Sequence, residues 1–270
     1  LKVNNRSHPE EDMNDPMQPF ADFATELAQE SGRFIMKYFG KRITADRKSD
    51  STPVTETDRG AEKMMREMIG QRFPGHRVLG EEFGSSGPED AEYKWVLDPI
   101  DGTKSFMHGV PLFGTLIALL RGDVPILGVI NLPALGEMAL GCQGRPTTLN
   151  GAPVKVSETG SLAEATLLIT SPVRVHETSQ ARGFEKLERS VRLTRGWGDC
   201  YGHFLVAVGR ADIMYDPVLS LWDVAALKPV VEGAGGTLTD KDGNNTGLGN
   251  SALSTNGRLH QGALDIISGG

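Results

Sequence analysis

The sequence predicts an α+β fold, and three observations carry that prediction. Apolar residues at helical spacing alternate along the chain with short apolar runs bounded by Gly, Pro and Asp. One block, "FGTLIALLRGDVPILGVINLPALGEMALG", reads as successive antiparallel strands turning at Gly122-Asp123 and Pro133-Ala134. With 270 residues, 39% of them hydrophobic, the chain can bury one large core or two closely joined ones.

The elements follow in order. Residues 1–19, "LKVNNRSHPEEDMNDPMQP", are polar without apolar periodicity and read as a mobile tail. From Phe20, the residues Phe23, Ala24, Leu27, Ala28, Phe34, Ile35 and Tyr38 keep helical spacing, and Gly40 is a natural stop. "KRITADRKSDSTPVTETD" reads as a loop or short hairpin. A second helix places Ala61, Met64, Met65, Met68 and Ile69 on one face, where the methionines are core rather than a ligand groove. Thr55 and Asp58 resemble a capping box before it. "RVLGEEFG" is a strand ending at Glu81 and Glu82, and "YKWVLD" is a strand ending at Asp98. A second half begins near "NGAPVKVS", dividing the folded unit 20–270 at about residue 150. It holds expected strands at 166–170, 192–194 and 212–215 and helices at 201–208, 222–232 and 258–267.

Composition excludes several functions. No stretch approaches the roughly 20 apolar residues of a membrane span. The net charge of −7 repels a phosphate backbone, so nucleic acid is not an expected partner. The same charge repels a small phosphorylated substrate unless cations reverse the field locally. Cys142 and Cys200 form no CxxC and read as packing residues in a reducing compartment. The chain starts at Leu1, so any targeting peptide is expected upstream.

The chemistry concentrates in "WVLDPIDGTKSF". Pro99 disfavours a helical conformation at Asp98, so Asp98 is expected to finish a strand before a sharp turn. Asp101 then comes round beside it, and two such anions repel unless a proton or cation lies between them. Carboxylate ligands favour a hard cation such as Mg2+. The plain alternative is that Asp98 caps a turn and Asp101-Gly102 is an ordinary turn pair. Gly102-Thr103 adds backbone N–H groups and a hydroxyl, suited to phosphate if a helix begins there. Glu81 in "GEE" ends a neighbouring strand, and Asp223 in "SLWDVAAL" falls in the first turn of a helix. Asp223 also suits a capping box with Ser220, which needs no metal. The aspartyl-nucleophile motif Asp-x-Asp-x-Thr is excluded, because here the spacing is one residue longer and Pro99-Ile100 intervenes.

"GEE", "WVLDPIDGTKSF" and "WDVAALKPVVEGAGG" together resemble the inositol-monophosphatase-like superfamily, from about Phe20 to the C-terminus. The resemblance implies a layered α-β-α-β-α sandwich of the inositol monophosphatase and fructose-1,6-bisphosphatase type. It implies a homodimer and a Mg2+-dependent, Li+-sensitive phosphomonoesterase with two or three ions per site. Glu81 and Asp98 would hold the first ion. Asp98, Asp101 and Asp223 would hold the second, with the main-chain oxygen of Ile100 as a further ligand, and a third ion would sit near Glu81. Asp58, matching "VTxxD", would act with Thr103 to orient and deprotonate the attacking water, and Glu81 joins them as a catalytic residue. Asp101, Gly102 and Thr103 would receive the phosphate. Lys48 and Asp50 match a mobile loop that closes over the metals, with a plain solvated loop as the alternative.

The run "WGDCYG" resembles the histidinol-phosphate phosphatase branch, whose inositol-preferring cousins carry small residues at Gly198 and Asp199 and often Glu at Asp216. Gly198, Asp199, Asp216 and Asp223 are thus the expected substrate-binding residues. Two carboxylates, Asp199 and Asp216, suit a substrate carrying an ammonium and an imidazole. His203 reads as a packed or surface histidine more readily than as a ligand. The alternatives are an inositol monophosphate or sugar-phosphate phosphatase, and an inactive structural subunit, which would have lost a metal carboxylate. The plant-like form of the branch implies the plastid stroma, and otherwise the cytoplasm is expected.

Overall fold

The structure, a computed structural model, describes residues 15–41, 46–47, 53–54 and 56–269. The first helix, α1 (Gln18–Met36), starts ahead of Phe20 because Pro19 sits in its first turn, where a missing N–H goes unused. Asp15 accepts a hydrogen bond from the Met17 N–H at 2.8 Å and pairs with Arg145. Residues 15–19, expected in the tail, are therefore part of the folded unit. β1 (Asp46–Arg47) and β2 (Pro53–Val54) form an antiparallel pair. Lys48, Asp50 and Thr55 lie outside the described residues. α2 (Glu56–Arg72) follows and buries Ala61, Met65 and Ile69.

Next come β3 (Arg77–Gly80), β4 (Gly84–Ser86), β5 (Tyr93–Asp101), α3 (Thr103–Met107), β6 (Gly114–Arg121), β7 (Val124–Leu132), β8 (Glu137–Cys142), β9 (Thr148–Leu149) and β10 (Ala152–Pro153). Their strands make one sheet in the order β10-β9-β8-β7-β6-β5-β3-β4. β5 to β10 are the antiparallel meander, and β3 runs parallel to β5. Asp98 does not finish its strand. β5 continues to Asp101, with its register against β6 shifting between Asp98 and Asp101. Pro99 cannot donate to a ladder, so it sits at that irregularity, and its carbonyl accepts the Thr115 hydroxyl at 2.8 Å.

The remaining elements are β11 (Thr166–Ile169), α4 (Pro172–His176), α5 (Ala181–Ser190), β12 (Leu193–Arg195), α6 (Asp199–Ala207), β13 (Ile213–Asp216), α7 (Leu221–Val224), α8 (Leu227–Gly233), β14 (Thr237–Thr239), β15 (Ala252–Thr255) and α9 (His260–Ser268). The second sheet has the order β12-β11-β13-β15-β14. The helix expected over 222–232 is two helices. Pro229 has no N–H and its ring would strike the carbonyl four residues back, so the chain restarts and places Pro229 in the first turn of α8.

Strand alternation sets the layers. β5 and β6 send Trp95, Leu97, Ile117 and Leu119 to α1 and α2, and Val96, Leu116, Ala118 and Leu120 to α6 and α8. The second sheet turns Met214 and Leu238 to the same middle helices, and Leu167, Ile213 and Tyr215 to α5 and α9. The order is α-β-α-β-α. Gly128 and Gly141, paired across β7 and β8, make a notch in the first sheet. A Cβ there would lie 2.0 Å from the Ala226 carbonyl oxygen or 2.3 Å from that of Pro229. Backbone therefore rests on backbone at the start of α8, which brings α7 and Asp223 against β5.

Candidate active site

Three carboxylates meet where β5 ends. Asp98, Asp101 and Asp223 each offer an oxygen within 4.8 Å of the others. Asp98 is 2% exposed, and its Oδ1 has no hydrogen-bond partner among the described residues. Burial raises its pKa well above the usual carboxylate range, and the charges of Glu81, Asp101, Asp223 and Asp58 push the same way. Asp101 is likewise raised, first by burial and then by Asp199 and Asp223, although it accepts a hydrogen bond from the Cys200 N–H. Asp223 accepts the Ser220 N–H at 2.7 Å and lies close enough to Asp98 to share a proton. The capping role thus engages Asp223 through one oxygen while the residue also joins the cluster. An orphaned buried oxygen in an all-carboxylate cluster fits a hard divalent cation, which would remove the repulsion.

Glu81 lies one residue past β3, its N–H donating to the Leu97 carbonyl at 3.2 Å. The turn it occupies is held from below by Glu62, a fully buried carboxylate. Glu62 accepts the Glu82 N–H at 2.7 Å, the Phe83 N–H at 3.2 Å and the Arg66 Nε–H at 2.7 Å. Asp58, at 2% exposure, opens the same helix.

Gly102 has φ +82, a left-handed conformation that a side chain rarely adopts. It starts α3, whose first residue, Thr103, donates its hydroxyl to the Ile100 carbonyl at 3.0 Å. That carbonyl has a second lone pair remaining.

Two adjoining cavities open beside the cluster. One of about 110 Å3 is lined by Asp101, Asp216 and Asp223; one of about 420 Å3 is lined by Glu81, Gly102, Thr103, Lys104 and Gly198. Asp199, Thr170, Ser171 and Arg174 line both. Asp199 has φ +52, and its N–H donates to Thr170 Oγ1 at 2.7 Å. Burial and then the Asp216 charge push its pKa up to about 6, against the opposing charges of Lys104 and Arg174. Gly198 abuts Thr170 so closely that a Cβ would lie 2.3 Å from its Cα. His203 is buried, as expected of a packed histidine.

Glu81, Asp101, Gly102, Thr103, Gly198, Asp199, Asp216 and Asp223 line the cleft, Asp98 joins Asp101 and Asp223 beneath it with Asp58 near enough to act on its charge, and Lys48 and Asp50 lie outside the description. Sequence reasoning passed over Glu62, Lys104, Thr170 and Arg174. Thr170 was placed only as the end of a strand, and Arg174 belongs to a short helix with no apolar pattern. Glu62 stands four residues before Arg66, an i,i+4 pairing that is the one signal of it in the sequence.

A family model described as the inositol monophosphatase family matches residues 16–268. The chain belongs to that family, whose members are metal-dependent phosphatases acting on small phosphorylated substrates. It is 41% identical over 256 residues to a histidinol-phosphatase of Chlorobaculum parvum, covering 94% of this chain and 98% of that protein. It is 39% identical over 255 residues to a histidinol-phosphatase of Mycobacterium tuberculosis, covering 93% and 95%. Among solved structures, an inositol monophosphatase from Zymomonas mobilis superimposes with a TM-score of 0.84 at 35% identity, covering 94% of this chain and all of that one. No helix among the described residues is long and apolar enough to cross a membrane.

Proposed function

We propose that this phosphatase hydrolyses L-histidinol phosphate to L-histidinol and phosphate, with Mg2+ as its cation. The observation that carries the reading is the pair Asp199 and Asp216 lining the cleft beside the Asp98-Asp101-Asp223 cluster. A leaving alcohol with an ammonium and an imidazole would complement two carboxylates there. The names of the Chlorobaculum and Mycobacterium relatives support the same substrate.

Glu81 and Asp98 would hold one cation, and Asp98, Asp101 and Asp223 a second, with the Ile100 carbonyl as a main-chain ligand. When bound, the cations supply Lewis acidity that neutralises the phosphate and makes water a better nucleophile. Asp58 with Thr103 orients that water and takes its proton. Glu81 fixes the geometry of the same end of the cleft. Asp101, Gly102 and Thr103 border the phosphate, the latter two through backbone N–H groups. Gly198 leaves room for the alcohol, while Asp199 and Asp216 hold its cationic groups above Asp223. A homodimer is the expected assembly, checked by sedimentation velocity.

The test compares kcat/KM on histidinol phosphate and inositol 1-phosphate with Mg2+ present. A preference for histidinol phosphate of about tenfold or more is expected. Equal values, or a preference for inositol 1-phosphate, would refute the substrate.

A further inference from the structure

Behind the cleft runs a buried chain of polar groups outside the catalytic scheme. His203 Nδ1 lies 2.7 Å from Ser254 Oγ, and His203 Nε2 lies 3.3 Å from Asp216 Oδ2. Thr170 donates its hydroxyl to the same Asp216 oxygen at 2.9 Å. Ser, His and Asp in hydrogen-bonded sequence resemble a nucleophilic triad, but the ends are reversed. Ser254 is fully buried in β15 opposite Met214 of β13, so no substrate reaches its hydroxyl. The end that meets the cleft is Asp216, with His203 beside it in the lining and Ser254 outside it.

Asp216 Oδ2 already accepts the Thr170 hydroxyl, and the tautomer that carries the proton on Nε2 lets His203 donate to the same oxygen. Nδ1 then accepts the Ser254 hydroxyl, which fixes the ring and its tautomer. Two donors converge on Oδ2, while Oδ1 has no hydrogen-bond partner among the described residues. The carboxylate is thereby held with one oxygen turned inward and the other left for a ligand.

We propose that His203 is a positioning residue for substrate selection: with Thr170 and Ser254 behind it, it aims Asp216 Oδ1 at the alcohol part of the phosphate ester. This rests on Asp216 as a substrate-binding residue, the reading given above. Asp199 and Asp216 sit near enough for their charges to oppose each other, so a rotamer change at Asp216 would also move the anion that Asp199 faces. A fixed Asp216 keeps the two carboxylates apart and presents them as two anchors.

The experiment is a double-mutant cycle on whichever of histidinol phosphate and inositol 1-phosphate the wild-type enzyme prefers. H203F should raise KM about tenfold with far less change in kcat, the scale of one hydrogen bond to a charged group. H203Q, whose amide N–H replaces Nε2–H, should recover most of the loss. In a D216N background H203F should add less than about twofold, because its effect runs through Asp216. Additive losses in the double variant, an unchanged KM in H203F, or a fall confined to kcat would each overturn the proposal. Should H203F fail to fold by circular dichroism, S254A takes its place in the cycle. Its KM should rise about threefold and vanish as an effect in D216N, and no rise overturns the proposal. A wild-type preference for inositol 1-phosphate sinks the substrate assignment alone. The cycle, run on that ester, still decides the role of His203.

Discussion

Asp98→Asn should make the metal-free protein more stable and the Mg2+-supplemented protein less stable than wild type. Oxygens of Asp98, Asp101 and Asp223 lie within 4.8 Å of one another. Two full charges at that distance repel by about 3.5 kcal/mol at an effective dielectric near 20. Burial and neighbouring acids raise the pKa values of Asp98 and Asp101, so the full-charge figure is an upper bound. Each 1 kcal/mol of that repulsion removed is worth a rise in Tm of about 2–4 °C for a chain of this size. With Mg2+ at about a hundred times its Kd, the wild type gains about 2.7 kcal/mol by mass action, and the variant, lacking a shared ligand, should gain almost none. Thermal melts in EDTA and in Mg2+ should therefore cross between the two proteins, and turnover should be lost. A lower melting temperature of D98N in EDTA would refute the electrostatic reasoning. Retention of both the Mg2+ shift and turnover would refute the metal assignment.

Glu62→Gln should raise the Mg2+ concentration for half-maximal activity several-fold and cost about 2–3 kcal/mol of stability, since an amide cannot accept all the donors that converge on Glu62; urea unfolding and Mg2+ titration measure the two effects. The Asp199 pKa is raised from 3.8 to about 6, so its contribution to the stability of the metal-free fold is present below pH 3.8 and lost as pH rises through about 6. The melting temperature of D199N in EDTA should accordingly gain on wild type between pH 5 and pH 7.5, and a flat difference would contradict the assignment. The difference is the right measure because His76 and His260, whose pKa values are lowered by burial, act in the opposite sense in both proteins. Gly128→Ala should weaken both folding and Mg2+ binding, because its Cβ would meet the Ala226 carbonyl at 2.0 Å. Gly70→Ala in α2, with nothing within 4 Å, should instead stabilise by about 0.5–1 kcal/mol, as chemical denaturation would register.

Strands β3, β5, β6, β7 and β8 of the first sheet were legible because each carries an apolar run closed by a Gly, Pro or Asp turn, as at Gly122-Asp123, whereas β4, β9 and β10 are two or three residues long and carry none. Asp98, Asp101 and Asp223 were legible as a group only through spacing and family likeness, since 121 residues lie between Asp101 and Asp223 and the fold alone brings them together. What stayed hidden was set by tertiary contact. Glu62 owes its burial to strand β3 passing over it, which a helical wheel does not register. The continuation of β5 past Pro99 depends on its pairing with Gly114 of β6. β15 and the helix α4 are too short to show a period, whereas α5, with Ala181, Phe184 and Leu187 three residues apart, carries a helical pattern that sequence reasoning missed.

The hydrogen bond from the Cys200 N–H to Asp101 has a consequence for redesign. The donor belongs to main chain, so replacing the Cys200 side chain alone keeps it. Its aim depends instead on the left-handed backbone of the preceding residue, Asp199, at φ +52. Aspartate, asparagine and glycine tolerate that conformation, whereas a β-branched residue does not. A change of substrate attempted through Val or Thr at position 199 would therefore disturb Asp101 as well. If Asp199 selects the substrate and Asp101 holds a cation, as proposed above, the two functions share one peptide unit, and new specificities should be sought first through Asn or Gly there.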